Sequence, residues 1–454
     1  TMLALFGLLI VIGFMILIMT RKASPFTSLI LVPLIIGVIA GAINQWGFSA
    51  LDIPKYAIAG MISDTDLKIK GVAGTALMLL FAILYFGLML SAGLFQPLVN
   101  FIVRAVKGDP LKVLVGTAIL ALGISVDGDG STTTLVVCSA LLPVYRKLNM
   151  KMMDLAVLIV LANSIMNLLP WGGPTARIIT ALHVDEGELL RAIMPGMIIA
   201  ALWVIVVAVI RGLAERKRLG ITNLNTDSMV HLIDTPHEDD AKFTRPHLIW
   251  FNFGLTLLVM IELIFGGMWF LPKVNSALIF AIALAVALMA NYPKQADQRE
   301  IIEKYGSSAV QVIFMVLAAG VFMGILSGTG MSHAMGEALA TWIPERFGNH
   351  WPLIVALISV PGTFLLSNDA FYLGVLPVLN QVGIKYGFSS MDIAIASTAG
   401  QAFHLLSPLV GFIYLLLHIT GVEMGKWQIQ SAKWAIGIFV AFSLAIFTVG
   451  GVPL

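Results

Sequence analysis

The chain has 454 residues, of which 59% are hydrophobic and 11% are charged, and its formal net charge is +2. Because an ordinary soluble protein has about a quarter charged residues, this composition predicts an all-α polytopic membrane protein and excludes a soluble domain. The sequence has no basic patch with interleaved aromatic residues, so nucleic acid is not an expected partner. The single cysteine excludes disulfides and cysteine-based metal sites.

Apolar runs follow one another along the chain. They lie at residues 2–19, 26–43, 75–103, 155–169, 192–210, 248–265, 274–289, 309–326, 393–417 and 434–449. Two further segments, 111–146 and 352–385, are also apolar, but polar residues interrupt each of them near its middle. Because a helix that spans a bilayer needs about 20 apolar residues, neither arm of these two segments can cross a membrane alone.

Positively charged residues assign sides to these segments, since cytoplasmic loops are enriched in lysine and arginine. The polar stretch after residue 210 is long and basic, so we predict that it is cytoplasmic. Counting back, both flanks of 111–146 are basic and predicted to be cytoplasmic. Counting forward, both flanks of 352–385 lie outside, as do both termini. Both segments are therefore predicted to be re-entrant hairpins that enter from opposite faces, with polar tips near the membrane midplane.

The two halves of the chain match in sequence at corresponding places. The tripeptide Leu-Pro-Val recurs at 142–144 and 376–378, and Pro170 corresponds to Pro408. We therefore predict an inverted repeat of five elements in each half, a pattern typical of secondary transporters. The predicted divisions are a first repeat at 1–218 with a re-entrant hairpin at 111–147 and a broken helix at 153–183, a cytoplasmic linker at 219–246, and a second repeat at 247–454 with a re-entrant hairpin at 350–388 and a broken helix at 389–420.

The tip of the first hairpin reads Asp-Gly-Asp-Gly-Ser-Thr-Thr-Thr from Asp127 to Thr134. Its glycines permit a tight turn, and the N-terminus of the following half-helix attracts anions. The predicted substrate ligands here are Gly128, Gly130, Ser131, Thr132 and Thr133. Acids at membrane depth are costly and indicate a substrate or ion path. Asp127 and Asp129 are therefore either ligands of a bound cation or only caps of the half-helix.

A break interrupts the helix after the first hairpin, at Pro-Trp-Gly-Gly-Pro (170–174). Proline frees backbone carbonyl and N–H groups midway along a helix, which adds polar groups to the predicted site. The predicted ligands from this helix are Asn163, Asn167, Gly172, Gly173, Thr175 and Arg177. The guanidinium of Arg177 either binds a carboxylate bidentately or extends to the outer membrane interface.

The second half supplies a corresponding set of polar residues. The predicted ligands are Ser367, Asn368 and Asp369 at the hairpin tip, and Gln401 and Ser407 in the broken helix. His404 lies between the last two. A histidine inside a membrane is either a proton carrier near neutral pH or a packing residue, and a position close to Asp369 would favour the proton carrier.

Four segments carry a family resemblance: DGDGSTTT at 127–134, LLPWGGPTAR at 168–177, FAILYFG at 81–87 and KGDPLK at 107–112. Together they resemble the citrate–divalent metal–proton symporters, the CitMHS family of the ion-transporter superfamily. The resemblance implies proton-coupled import of citrate, complexed with a divalent metal, across a bacterial cell (inner) membrane. Superfamily relatives imply a homodimer in which a transport domain moves against a scaffold as an elevator.

This expected cargo has a defined charge. Free citrate is about −3 at neutral pH, so a divalent ion reduces the complex to about −1, and its site needs both anion donors and acids. Because Mg²⁺ and Ca²⁺ prefer oxygen ligands, we assign the metal to Asp127, Asp129 and Asp369. The metal is expected to travel with citrate, and no resident cofactor is expected.

Other functions are compatible with parts of this pattern. A proton-coupled symporter of free dicarboxylate, tricarboxylate or gluconate-like anions would use a similar fold without a metal. Two opposed hairpins could also form an ion channel, although broken helices with mixed donors and acids favour a carrier. An enzyme is disfavoured, because the sequence has no Walker A, HExxH or GxSxG motif.

Overall fold

The computed structural model describes residues 2–43, 45–221, 242–268 and 271–453. Regular structure within these ranges is helical, apart from one β-bridge between Asp64 and Ile69, and the predicted all-α fold is confirmed. Most of the predicted linker at 219–246 lies outside the described residues.

Helices of the first half are long and apolar, with short helices between them. They are α1 (Met2–Met19), α2 (Pro25–Ile43), α3 (Ile53–Ile62), α4 (Ala73–Ala92), α5 (Gln96–Val106), α6 (Pro110–Ile124), α7 (Gly130–Lys147), α8 (Met152–Met166), α9 (Gly173–Leu182) and α10 (Glu186–Leu219).

The second half is also built of long apolar helices with short helices between them. Its helices are α11 (Ile249–Phe265), α12 (Ser276–Asn291), α13 (Gln295–Gly328), α14 (Met331–Ala340), α15 (Glu345–Gly348), α16 (Trp351–Leu365), α17 (Leu376–Lys385), α18 (Ser390–Ser397), α19 (Gln401–His404), α20 (Gly411–Thr420) and α21 (Met424–Thr448). In the described part of the chain, seven helices are long and apolar enough to cross a membrane, as a multi-pass membrane protein requires.

The apolar run at 75–103 forms two helices instead of one continuous segment. Gly93 adopts the left-handed conformation (φ +87°) at the end of α4 and turns the chain into α5. One side of α5 packs against α6 through buried Val99, Ile102 and Val103, whereas Phe101 on its other side is exposed. The apolar run therefore did not reveal this boundary, although Gln96, Asn100 and Arg104 give α5 a polar exposed face.

The first predicted hairpin consists of α6 and α7. Asp109 caps the N-terminus of α6 by accepting a hydrogen bond from the backbone N–H of Leu111. After α6 the chain forms a 3₁₀ turn at Ser125–Asp127, and Gly128 takes a positive φ of +79°. Asp129 then caps the N-terminus of α7, so the turn at the tip is stabilised by the residues that make it polar.

The second predicted hairpin consists of α16 and α17, and its tip is built differently. The chain is extended at Leu366 and then enters a π-helical segment, Asp369–Val375, that runs directly into α17. The wider π-helical turn replaces the glycine turn of the first tip. Such segments occur often at functional sites.

Both predicted broken helices are interrupted. The first divides into α8 and α9, and the second into α18, a 3₁₀ turn at Thr398–Gly400, α19 and α20. The arms after the breaks pack reciprocally: α9 lies against the π-helical segment of the second hairpin, and α20 lies against α7 of the first. Each hairpin therefore rests on a broken helix from the other half.

Ion pairs tie the end of α10 to the first hairpin and to α8. Arg216 contacts Asp109 through two hydrogen bonds, one of them 2.9 Å from Nε to Oδ1, and Arg211 Nε donates to Asp154 Oδ1 over 2.7 Å. The hydrogen bond from Arg216 lowers the pKa of Asp109 below its ordinary value. Asp154 is only 2% exposed, so its charge depends on the partner.

Candidate functional site

A cavity of about 630 Å³ lies between the tip of the first hairpin, α9, the π-helical segment, α4 and α13. It is large enough for a small organic ligand, because such sites usually measure about 300–1,000 Å³. Many of the predicted site residues line it: Asp127, Gly128, Asp129, Ser131, Thr132, Gly172, Gly173, Arg177 and Asp369. The structure thus brings the first hairpin tip, the first helix break and one residue of the second hairpin together.

At the first tip, Asp129 both caps α7 and faces the cavity. Its carboxylate accepts hydrogen bonds from the backbone N–H groups of Ser131 (3.2 Å) and Thr132 (2.9 Å) and from the Thr132 hydroxyl (2.7 Å). Asp127 accepts the N–H of Asp129 over 2.9 Å. The sequence left capping and cation binding as alternatives. In the structure Asp129 is a cap and is also exposed to the cavity, so the two roles are compatible.

These bonds change how an anion would be held at this tip. The first turn of α7 was expected to offer its N–H groups to an anion. Instead, two of these N–H groups, from Ser131 and Thr132, already donate to Asp129, and Thr133 is fully buried. The helix N-terminus is thus neutralised by an acid of the chain itself. A cationic side chain has to provide the main anion contact.

Trp171 fastens the first tip to the helix break. Its indole N–H donates to the carbonyl of Val126 over 2.8 Å, and its ring stacks on Phe86 of α4 with centroids 5.1 Å apart. A Cβ on Gly128 would lie 3.1 Å from Cα of Gly172, so the tip and the break touch through their glycines. Sequence reasoning did not select Trp171, although its place within the Pro-Trp-Gly-Gly-Pro break was a signal.

Side chains inside the break satisfy the backbone groups that it frees. Asn167 Oδ1 accepts the N–H of Gly173 over 3.1 Å, and the Thr175 hydroxyl donates to the carbonyl of Leu168 over 2.7 Å. Both side chains are buried and neither lines the cavity. Asn167 and Thr175 therefore hold the break in shape, and they are not placed where a ligand in the cavity would touch them.

Arg177 points into the cavity and joins the two halves of the chain. Its Nε lies 2.5 Å from Oδ1 of Asp369 in the second hairpin, and its Nη1 donates to the carbonyl of Gly173 over 2.6 Å. The Arg177 and Asp369 side chains are 27% and 15% exposed. Arg177 thus contacts a carboxylate through Nε alone, and this carboxylate comes from the protein itself.

The same pair gives Asp369 a partner different from the predicted metal. A cluster of three or more His, Cys, Asp or Glu side chains with metal-binding geometry is absent from the described residues. Asp127, Asp129 and Asp369 line one cavity, but Asp369 faces a guanidinium and Asp129 faces N–H groups. A preformed site of three protein carboxylates is therefore not what the structure contains.

Several predicted ligands from the first half lie behind the cavity wall. Thr133 shares a 3.0 Å hydrogen bond with Ser125, and Asn163 Nδ2 donates to Ser125 over 3.3 Å. Asn163 is buried. A Cβ on Gly130 would lie 2.2 Å from the ring of Phe412, so this glycine permits α20 to pack on α7. These residues support the tip from behind and do not line the cavity.

The predicted ligands from the second half also form a supporting layer. Gln401 Nε2 donates to Asn368 Oδ1 over 3.0 Å and to the Tyr372 hydroxyl over 2.8 Å. The Ser367 hydroxyl accepts the N–H of Ala370 (3.2 Å), and Ser407 is buried. Of the five ligands predicted from the second half, these four do not line the cavity, because the π-helical segment presents only Asp369 and Leu373 to it.

His404 is buried and fixed by a backbone carbonyl. Its Nδ1 lies 2.7 Å from the carbonyl oxygen of Thr363, and since a carbonyl can only accept, Nδ1 carries a proton. His404 is 5% exposed and is outside the cavity lining. This geometry is that of a packing histidine.

Sequence reasoning missed the wall opposite the tip, which α4 and α13 form. From α13, Tyr305, Ser308 and Gln311 line the cavity. The Tyr305 hydroxyl shares a 2.8 Å hydrogen bond with Ser91 of α4, and its ring covers Gly87, where a Cβ would meet it at 2.4 Å. A glutamine on an apolar helix was the available signal.

Comparison with known proteins gives consistent matches over most of the chain. The profile of the CitMHS family, described as "Citrate transporter", matches residues 14–400. The "Citrate transporter" of Bacillus subtilis is 44% identical over 99% of both chains. The "Mg(2+)/citrate complex secondary transporter" of the same organism is 41% identical over 100% of both chains.

Solved structures support the fold. The YdaH transporter of Alcanivorax borkumensis is similar with a TM-score of 0.61 and 16% identity, covering 94% of this chain and 98% of that one. MtrF of Neisseria gonorrhoeae is similar with a TM-score of 0.58 and 14% identity, covering 94% of this chain and 95% of that one. At these identities the likeness concerns the fold alone.

Proposed function

The chain belongs to the CitMHS family of citrate transporters, and from this premise we propose that it imports citrate as a complex with a divalent metal, coupled to protons. The relative named as a Mg²⁺/citrate complex transporter supports the metal. The family also makes it a transporter and not an enzyme.

The observation that carries this proposal is the mixed charge of one cavity. Asp127 and Asp129 line it on one side and Arg177 on another. Citrate in a metal complex presents carboxylates at one end and a cation at the other. Arg177 binds a carboxylate and the two acids of the tip face the metal. Because citrate itself supplies most of the oxygen ligands, the protein does not need three carboxylates around the ion.

The cavity has the tip, α9 and Asp369 on one side and α4 with α13 on the other. We propose that the hairpins and broken helices move as one transport domain along a scaffold that includes α4 and α13, in a homodimer in the bacterial cell membrane. The two halves then form the inverted repeat, with hairpins at 111–147 and 350–388.

The extent of the cavity supports a direction of transport. The cavity extends along α4 as far as Leu90 and along α13 to Tyr305, and both of these ends are predicted to be cytoplasmic from the positive charges. We therefore propose that the cavity releases imported cargo on this side.

Uptake of labelled citrate by the reconstituted protein tests the proposal. We expect uptake with Mg²⁺ or another divalent ion, loss of uptake in excess EDTA, and loss of accumulation when an uncoupler collapses the proton gradient. Asp129→Asn is the matched variant, since asparagine also caps helices but removes the charge. It should fold normally and weaken uptake of the complex.

The main alternative is symport of a free carboxylate or gluconate-like anion without metal. Uptake that persists in EDTA would establish that alternative and refute the metal complex. Normal metal-dependent uptake by Asp129→Asn would refute the role of the tip acids alone.

A further inference from the structure

We propose that Asp369 carries the coupled proton, and that it takes up this proton when a carboxylate of the substrate displaces it from Arg177. The inference rests on the proposed function, because it assumes proton-coupled transport of a citrate complex. It assigns to Asp369 a role in coupling in place of metal binding.

The hydrogen bonds of Arg177 define the competition. Among the described residues that line the cavity, Arg177 is the only cation. Its Nε is engaged by Asp369 and its Nη1 by the carbonyl of Gly173, while its Nη2 has no partner in the described part of the chain. A carboxylate binds an arginine best through two parallel hydrogen bonds on one edge. On the edge formed by Nε and Nη2, such a carboxylate has to replace Asp369.

The charge of the cavity shows why the displaced acid needs a proton. Three carboxylates face one guanidinium, which is a formal charge of −2 when all are ionised. Once Arg177 is paired with citrate, Asp369 is a mostly buried acid without its cation, beside a substrate carboxylate. Loss of an opposite charge and approach of a like charge both favour the neutral form of a carboxyl group. Binding of the anion and binding of the proton are therefore linked.

Other groups near Asp369 do not offer the same exchange. The backbones of α9, α1 and α17 lie along the π-helical segment, and α16, α18 and α19 contact its side chains without adding a titratable group other than His404 of α19 and Asp392 in the first turn of α18. α9 contributes Arg177, α1 has no titratable residue, and α17 has only Lys385 in its last turn. His404 approaches from the layer behind, where its Nδ1 is held by a carbonyl.

The acids of the first tip complete the set of charged groups. Asp127 and Asp129 line the same cavity as Asp369, and their partners are N–H groups and a hydroxyl. A bound anion does not compete for a cation with either of them. Asp369 is thus the acid that loses its cationic partner when the substrate binds.

Proton uptake during binding tests the inference directly. Purified protein in weakly buffered detergent solution is mixed with Mg²⁺–citrate, a pH indicator reports protons, and labelled citrate reports the bound complex. We expect wild type to take up about one proton per bound complex and Asp369→Asn to bind the complex with no proton uptake. His404→Asn keeps an amide N–H near the position of Nδ1 and is the matched control, which should behave as wild type.

A second readout uses transport. Asparagine resembles a protonated carboxyl, so Asp369→Asn should still exchange labelled for unlabelled citrate at equal pH but lose accumulation driven by a pH gradient. Equal proton uptake by wild type and Asp369→Asn, or its loss in His404→Asn instead, would overturn the inference.

A third readout does not depend on a variant that folds. The infrared difference spectrum of wild type should gain the band of a protonated carboxyl group when Mg²⁺–citrate binds, and absence of this band would contradict the inference. If wild type neither binds nor transports Mg²⁺–citrate, the proposed function fails. If wild type transports it and only the proton measurements disagree, the proposed function stands and the role of Asp369 falls.

Discussion

Two adjacent glycines in the first helix break should respond very differently to the same added methyl group. A Cβ on Gly172 would lie 2.0 Å from the carbonyl oxygen of Asn167 and 3.0 Å from that of Leu169. Both are backbone atoms of the break, so they cannot rotate away. A Cβ on Gly173 would instead lie 3.3 Å from Nη1 of Arg177, at the flexible end of a side chain.

These distances set the size of the expected loss of stability. In Gly172→Ala, backbone atoms have to move by about 1 Å to reach van der Waals contact, and overpacking of this kind typically costs about 1–3 kcal/mol or more. The shift would also displace the Trp171 bond to the first tip. We expect a clearly lower midpoint of thermal unfolding in detergent and weaker binding of citrate.

The matched variant is Gly173→Ala, which retains the N–H that donates to Asn167 and adds a methyl group only to the first residue of α9. Its midpoint of thermal unfolding should stay close to that of wild type. Equal stability of Gly172→Ala and wild type, or a larger loss in Gly173→Ala, would refute the packing described for the break.

Three further predictions concern bonds around the site. Trp171→Phe keeps the aromatic packing but loses the hydrogen bond to the tip, worth about 0.5–1.5 kcal/mol, so isothermal titration should show citrate affinity reduced by up to about tenfold. Arg216 lowers the pKa of Asp109, so their ion pair stabilises the folded protein at any pH above the unfolded-state pKa of this acid. This stabilisation is lost as the pH falls through the lower folded-state pKa. Asp109→Asn keeps the cap and should therefore make the midpoint of thermal unfolding less sensitive to acid. Arg211→Gln leaves buried Asp154 unpaired and should cost about 3–5 kcal/mol in unfolding measurements, and adding Asp154→Asn should restore most of this loss.

The sequence predicted the helical fold and the location of the polar tips and breaks, because prolines, glycines and acids inside apolar runs are typical of turns, helix breaks and polar sites at membrane depth. It also selected both members of the Arg177–Asp369 pair. It could not select their pairing, since residues 192 positions apart meet only after the two halves pack.

The ligand set predicted from sequence was too broad, for a physical reason. A break in a buried helix frees backbone groups, and these have to be satisfied by nearby polar side chains. Asn167 and Thr175 do this for the break, whereas Asn163 and Gln401 bond polar side chains of the two hairpins, so the polarity of all four serves the structure behind the cavity. Composition alone does not distinguish such residues from residues that face a ligand. The distinction comes from the structure, which places Arg177 at the cavity and these four side chains behind its wall.

The reciprocal packing of α9 and α20 has a consequence for synthesis. The first hairpin acquires its supporting neighbour, α20, only after the second broken helix has been synthesised, so its polar tip has to enter the membrane without its final packing. The order of assembly is therefore fixed by the last broken helix and not by the first. Truncation before α20 should leave a chain that inserts but is rapidly degraded, even though it still contains every residue of the first tip.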